Sequence, residues 1–207
     1  VRKTTIEEWL SDLASDKPAP GGGAAAGVNA AMGAALVSMV CNLTIGKPKF
    51  AEHEAVMREV LAEAERLRLE ALQLAEDDAE AFSGVIAAYK LPKSSDEEKA
   101  ARTAAIQSGL VDAAAVPLAV AQVSAEVIKL SGRVLEGSNP NVLSDVAVAA
   151  SAAKSALESA ALNVDINLVS IKDPAERERL AGALNEALQA KVQAEAIMHA
   201  VAKRIRA

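Results

Sequence analysis

Four groups of residues stand out from an alanine-rich background because their types and spacing could do chemistry. Pro20-Gly21-Gly22-Gly23 precedes an apolar helical run. Glycines at a helix start leave backbone N–H groups open to an anion and let a ligand approach the main chain. The same run would equally make a tight turn into a closely packed helix. Lys47 and Lys49 flank Pro48 just beyond the end of that helix. The helix dipole favours cations there, and an anion would find two charges together. Asp78 and Phe82 stand one turn apart, so a carboxylate and a ring share one helix face. Solvated surface acids have the same pattern. The fourth group is Asn139-Pro140-Asn141 with Ser144-Asp145, followed by Asn163 and Asn167.

Asp145 interrupts a stretch otherwise nearly free of charge. Its carboxylate must therefore be paired, hydrated in a pocket or used. Asn163 follows eighteen residues later. That is five turns, so the two side chains share a face but sit roughly 27 Å apart along the axis. Within one chain they cannot serve one small reacting centre; they line a groove or meet different copies of the chain. The plain role of Asn163 and Asn167 is interhelical hydrogen bonding. His53 and His199 lack the spacing of metal ligands, and no phosphate-binding loop or dinucleotide fingerprint is present. The single Cys41 lies in an apolar run and reads as a small buried residue.

The elements that must position these groups are helices. The 207 residues are 51% hydrophobic but only 2% aromatic, and alanine makes up the difference. Alanine is the strongest helix former, and alanine faces require close helix approach. No sustained polar–apolar alternation suggests strands. An all-α long-helix bundle in a single domain spanning 1–207 is expected. Thr5 to Ala14 reads as an amphipathic helix with Ile6, Trp9, Leu10 and Leu13 on one stripe, Trp9 being its anchor. A second helix starts near Gly21 to Gly23 and runs to about Leu43, with Val28, Met32, Met39 and Leu43 as its larger face. Gly23, Gly27, Ala31 and Ala34 form its small one. Helix resumes from Phe50 to about Tyr89 and, after a Ser95 N-cap, to about Leu135, with Pro117 as a break or kink. Asn139-Pro140 and Asp173-Pro174 are cap-plus-proline starts of two more helices, to about Ser170 and to the C-terminus.

Charge and hydropathy narrow the function classes. A formal net charge of -6 argues against nucleic acid as partner, while leaving room for a local cationic pocket. Pro18 to Gly46 carries no charge and is long enough for a bilayer. Its Ala/Gly content, together with Asn29, Ser38 and Asn42, suits a buried central helix, and no membrane association is expected. No signal-like segment opens the sequence, and the lone cysteine suits a cytoplasmic location. Two charge-poor helices, near 21–43 and 140–170, are more than one small domain readily covers, so a homodimer is expected.

Taken in order, these motifs resemble a known family. Pro18-Ala19-Pro20-Gly21-Gly22-Gly23 with Met39-Val40-Cys41-Asn42-Leu43-Thr44-Ile45-Gly46-Lys47 resemble its first signature, and Asp78-Ala79-Glu80-Ala81-Phe82 with Leu91-Pro92 its second. Gly137-Ser138-Asn139-Pro140-Asn141 with Ser144-Asp145, then Ala161 to Asn167, resemble the third and fourth. The family is the cyclodeaminase/cyclohydrolase family of folate enzymes. It includes the C-terminal domain of formiminotransferase-cyclodeaminase and free-standing methenyltetrahydrofolate cyclohydrolases. Two positions depart from its pattern: Ala24 stands where a hydroxyl residue is common, and Lys47-Pro48-Lys49-Phe50 where a lysine run and a tyrosine are common.

The resemblance implies an all-helical dimer acting on a tetrahydrofolate derivative without metal or redox cofactor. In the cyclohydrolase direction, water attacks the cationic carbon that bridges N5 and N10. In the cyclodeaminase direction, N10 attacks a formimino carbon and ammonia leaves. Either reaction needs a carboxylate near that carbon and a proton shuttle. Asp78 and Asp145 are the catalytic candidates. Gly21, Gly22, Gly23, Phe82, Asn139, Asn141 and Asn163 are candidates for binding substrate. Lys47 and Lys49 would meet the glutamate tail, polyglutamylated or not, or one of them would act as the acid. The alternative is a noncatalytic helical module that dimerises or binds folate without turning it over.

Overall fold

A computed structural model describes residues 1–207 as seven α-helices and no strands: α1 (Ile6–Leu13), α2 (Gly22–Asn42), α3 (Glu54–Tyr89), α4 (Asp96–Leu135), α5 (Leu143–Leu168), α6 (Pro174–Leu188) and α7 (Ala190–Arg206). Short 3₁₀ turns at Pro48–His53 and Pro140–Val142 precede α3 and α5. The helix starts follow local chemistry. Thr5 and Glu8 form a reciprocal capping box on α1, as do Ser95 and Glu98 on α4. The Asp173 carboxylate accepts from the Ala175 and Glu176 N–H groups ahead of Pro174. The helix expected from Phe50 begins instead at Glu54. Phe50 has non-helical dihedrals (φ -121°, ψ 16°), so the 3₁₀ turn resets the axis before α3 begins.

The core is one contiguous cluster of 43 buried residues drawn from α2 to α7. Helix α2 lies at its centre, against α3, α4 and α5. Small residues set the spacing. A Cβ at Gly27 would stand 2.9 Å from the Ala75 Cβ and 3.0 Å from the Ala71 carbonyl oxygen; one at Gly33 would stand 3.1 Å from the Ala149 carbonyl oxygen. Backbone thus meets backbone. Larger residues such as Met57, Leu67, Ile128, Leu157 and Leu180 fill the space farther out. Helices α2 and α4 are both long and apolar enough to cross a bilayer, but the apolar window of α2 is 61% buried inside the protein.

Not all apolar stripes point inward. The larger face of α2 faces out: Met32, Met39 and Leu43 are exposed and Val28 half-buried. The α1 stripe covers only part of it. Ile6, Trp9, Leu10 and Leu13 border a groove of about 410 Å³ shared with Ala25, Val28 and Met32, and Ile6 remains 79% exposed. On α5, beside α2, Val148, Leu162, Ile166 and Val169 are exposed, with Ala152, Ser155 and Ser159 between them. Asp145 is the one charged side chain on that α5 stripe, and the α2 face has none.

Pro117 was expected to break or kink its helix, yet α4 runs unbroken through it. A proline removes the N–H that would pair with the carbonyl four residues back, here that of Ala113. Asn167 on α5 supplies the missing donor: its Nδ2 lies 3.2 Å from the Ala113 oxygen and 2.8 Å from the Asn163 oxygen. A tertiary hydrogen bond therefore replaces a local one. Asn167→Ala should cost about 1–3 kcal/mol, the usual loss when a buried acceptor is orphaned. In a Pro117→Ala background the loss should shrink, because residue 117 regains its own donor. A double-mutant cycle by chemical denaturation measures the coupling, and additive costs would refute the substitution of one bond for the other.

Candidate active site

Asp78 projects from the middle of α3 toward the first turn of α2. Its Oδ2 accepts from the Ala24 N–H at 3.1 Å. The contact requires glycine at the preceding position, because a Cβ on Gly23 would fall on the carboxylate itself. Gly22 faces the Asn163 amide, where a Cβ would stand at an ordinary contact distance of 3.4 Å. Gly23 is thus the glycine that seats the carboxylate against main chain. Ala24 acts through its backbone, so its lack of a hydroxyl does not disturb this bond.

Around that contact lies a cleft of about 330 Å³. Gly21, Gly22 and Gly23 form one wall, Asp78 and Phe82 of α3 a second, Ala113 and Pro117 of α4 the floor, and Asn163 and Asn167 of α5 the far side. Phe82 sits one turn beyond Asp78 with its ring 43% exposed, offering a flat apolar surface beside the carboxylate. Asn163 donates Nδ2 to the Ser159 carbonyl at 2.8 Å. Its remaining amide capacity faces Gly22 and the cleft.

Burial pushes the Asp78 carboxyl above the ordinary aspartate range, and the Ala24 N–H pulls partly the other way. No cation pairs with it. A half-dry carboxylate of this kind is a competent proton acceptor and a partner for a cationic ligand. The buried Cys41 thiol, pushed up to about 11, is in contrast inert.

A second group gathers at the opposite end of α2. Lys47, Lys49, Phe50, Asn139 and Asn141 border an open cleft of about 910 Å³. Asn139 locks the two loops together. Its backbone N–H donates to Thr44 Oγ1 at 3.0 Å, its Nδ2 to the Leu43 carbonyl at 3.2 Å, and its Oδ1 accepts from the Asn141 N–H at 3.1 Å. Asp145 lies in the first turn of α5 at this end, half-exposed and without an ion-pair partner, where the helix dipole favours a carboxylate. One chain therefore splits the sequence candidates in two. Gly21, Gly22, Gly23, Asp78, Phe82 and Asn163 meet at one end; Lys47, Lys49, Asn139, Asn141 and Asp145 lie at the other. Pro117 and Ala113 were not legible as site residues, since only the packing of α4 under the cleft brings them there. Asn167 was signalled by its place one turn after Asn163.

The raised pKa of Asp78 has a consequence for stability. A carboxyl whose folded pKa exceeds its unfolded value binds protons more tightly when folded. Its contribution is greatest below the unfolded pKa and declines as pH rises through the folded one. Ionised Asp78 is therefore destabilising at neutral pH. Asp78→Asn should raise the Tm at pH 7, and the gain should vanish below the ordinary aspartate pKa. A gain independent of pH, measured by calorimetry, would contradict the desolvation account.

Comparisons with known proteins find relatives over nearly the whole chain. The family model described as formiminotransferase-cyclodeaminase matches residues 5–186. The methenyltetrahydrofolate cyclohydrolase of Methylorubrum extorquens is 51% identical, over 92% of this chain and 97% of that protein. The formimidoyltransferase-cyclodeaminase of Rattus norvegicus is 34% identical over 94% of this chain, which spans only 36% of that longer protein. The crystal structure of formiminotetrahydrofolate cyclodeaminase from Thermotoga maritima superposes with a TM-score of 0.84 at 33% identity, covering 98% of this chain and 96% of that one. Sequence and fold together place the chain in the formiminotransferase-cyclodeaminase family.

Proposed function

We propose that the chain is a folate one-carbon enzyme, a methenyltetrahydrofolate cyclohydrolase, working as a homodimer whose two ends combine into shared sites. The observation that carries the chemistry is Asp78, an unpaired, partly desolvated carboxylate beside an aromatic ring at the glycine-rich start of α2. Similarity favours the hydrolase over the deaminase, because the relative bearing that name is more alike and matches almost end to end.

The carbon bridging N5 and N10 of methenyltetrahydrofolate is cationic. Ionised Asp78 stabilises it and takes a proton from the attacking water as the new C–O bond forms. One C–N bond of the tetrahedral adduct then breaks as that nitrogen receives a proton, and a formyl group stays on the other. The raised pKa makes Asp78 a stronger base than an ordinary aspartate, which suits taking the proton from water. The deaminase reaction uses the same groups on a formimino carbon, with ammonia as the leaving group.

A dimer reconciles the two ends. The 21 residues of α2 hold the clefts about 30 Å apart within one chain. Its outward face and the adjacent α5 stripe are apolar, small and almost uncharged. A twofold axis across the middle of α2, near Met32 and Leu36, would run the two α2 helices antiparallel. Each Asp78 cleft would then meet the partner subunit's Lys47, Asn141 and Asp145. The partner subunit's Lys47 is the group to protonate the departing nitrogen.

Asp78→Asn and Asp145→Asn should each lower turnover about a hundredfold or more, the scale of a general acid–base group. Asp77→Asn should leave it nearly unchanged, since Asp77 accepts from Gln73 on the outer face of α3. The ultraviolet absorbance of methenyltetrahydrofolate follows the reaction, and formiminotetrahydrofolate is assayed beside it. Full activity of both the Asp78 and Asp145 variants on both substrates would remove the carboxylate mechanism. The shared site is tested separately by co-refolding Asp78→Asn chains with Lys47→Ala chains. A random mixture of equal amounts leaves one intact site in each mixed dimer, giving about a quarter of wild-type activity. Recovery of no more than the average of the two parent variants would place each site within one chain.

A further inference from the structure

Of the 14 residues that line the Asp78 cleft, only Asp78, Asn163 and Asn167 have polar side chains; none is a lysine, arginine, histidine or hydroxyl residue. What the two amides present to a ligand is fixed by their bonds to the main chain. Asn163 reaches back along α5 to the Ser159 carbonyl at 2.8 Å, and Asn167 to the Asn163 carbonyl at 2.8 Å. A carbonyl oxygen can be met only by the NH2 end of an amide, so both Oδ1 atoms are turned away from the helix backbone. Asn167 is the more constrained. Its Nδ2 also donates to the Ala113 carbonyl at 3.2 Å, so both amide hydrogens are used and only acceptance at Oδ1 is left. No protein donor meets the Oδ1 of either residue.

Helix packing sets the order of these groups along the cleft. Helices α2 and α5 run antiparallel: Gly33 faces Ala149 and Ala153, and Gly22 faces Asn163. Asn167, one turn further on, therefore lies beyond the start of α2, on the side to which the Gly22 N–H points without an intrahelical partner. From the reacting end outward the cleft offers the Asp78 carboxylate beside Gly23, then the Gly22 N–H, then the Asn163 oxygen, then the Asn167 oxygen. A pteridine ring carries the complementary series along one edge. Starting from the carbon that bridges N5 and N10, it presents the 4-oxo acceptor, the ring N3–H and the exocyclic 2-amino group.

We infer that Asn163 and Asn167 select the pterin ring, Asn163 accepting from N3–H and Asn167 from the 2-amino group. This rests on the folate reading above and extends it from the reacting carbon to the far edge of the ring. Asn167 has two duties, one for each end of its amide. The nitrogen serves the Ala113 carbonyl that Pro117 leaves without a donor, and the oxygen reads the ligand. A ring with a methyl group in place of the amine would cover that oxygen without giving it a donor, which is the costly arrangement.

The test measures kcat/KM for methenyltetrahydrofolate and for its 2-desamino-2-methyl analogue, which keeps N3–H and the reacting carbon. Wild type should favour the natural ring by about tenfold or more, the scale of one covered acceptor left without a donor. Pro117→Ala separates the two duties, because residue 117 then serves the Ala113 carbonyl itself, and this variant should keep the preference. Adding Asn167→Ser should bring the preference close to unity. The serine hydroxyl can still donate to the carbonyl four residues back, as Ser124 and Ser131 do. Asn163→Ser should lower kcat/KM for both rings alike and leave the ratio in place. Each readout is a ratio within one variant, so a general loss of folding or turnover cancels. An undiminished ratio in Pro117→Ala/Asn167→Ser, a ratio lost in Pro117→Ala or in Asn163→Ser alone, or no preference in wild type would overturn the assignment. Failure of wild type to turn over methenyltetrahydrofolate itself would instead sink the folate reading.

Discussion

The structure depends on how closely α2 is approached by its neighbours. Gly23, Gly27 and Gly33 lie on faces where a single methyl group would meet a carboxylate, a carbonyl or another backbone. Close approach compensates for the little area each alanine buries, because many weak contacts form along the whole length of the helix. The same tight spacing brings Asp78 up to the Ala24 N–H and removes it from water. Packing and chemistry are here one constraint: the distance that closes the core also sets the acidity of the carboxyl.

Much of this was legible in the sequence, for local reasons. The capping residues Ser95 and Asp173 announced two helix starts, and each cap is formed as its spacing predicts. Asp78 and Phe82 share a cleft because residues one turn apart must share a face. That α4 would continue through Pro117 was not legible, because the Asn167 contact that serves the Ala113 carbonyl spans fifty-four residues. The orientation of α2 was half readable. Its small face and its large face could be told apart, but which of them faces the core depends on what surrounds the helix. The small face faces in because α3 and α5 come close enough to use it.

The distribution of unpaired charge tells a related story. The protein is acidic overall, and its exposed faces are laced with i,i+3 and i,i+4 pairs such as Arg66 with Glu63 and Glu70. Such pairs contribute little stability at a surface. They do neutralise the field around them, so the cations left without partners dominate their surroundings. Those at Lys47 and Lys49, and at Arg102, Lys172 and Arg177, border clefts. An anionic group that reaches either of those clefts therefore meets unpaired cations despite the net charge.

The absence of a side chain at Gly23 has a consequence for how such chains drift over time. The position is closed to every other residue only while a carboxylate occupies the space beside it. A descendant copy released from catalysis would free both positions at once: a shorter residue at 78 would admit a methyl at 23, and alanine is the better helix former there by about 1 kcal/mol. Loss of the acid would thus invite loss of the glycine. Among related chains, the pair read together would separate working enzymes from retired ones more reliably than either residue alone.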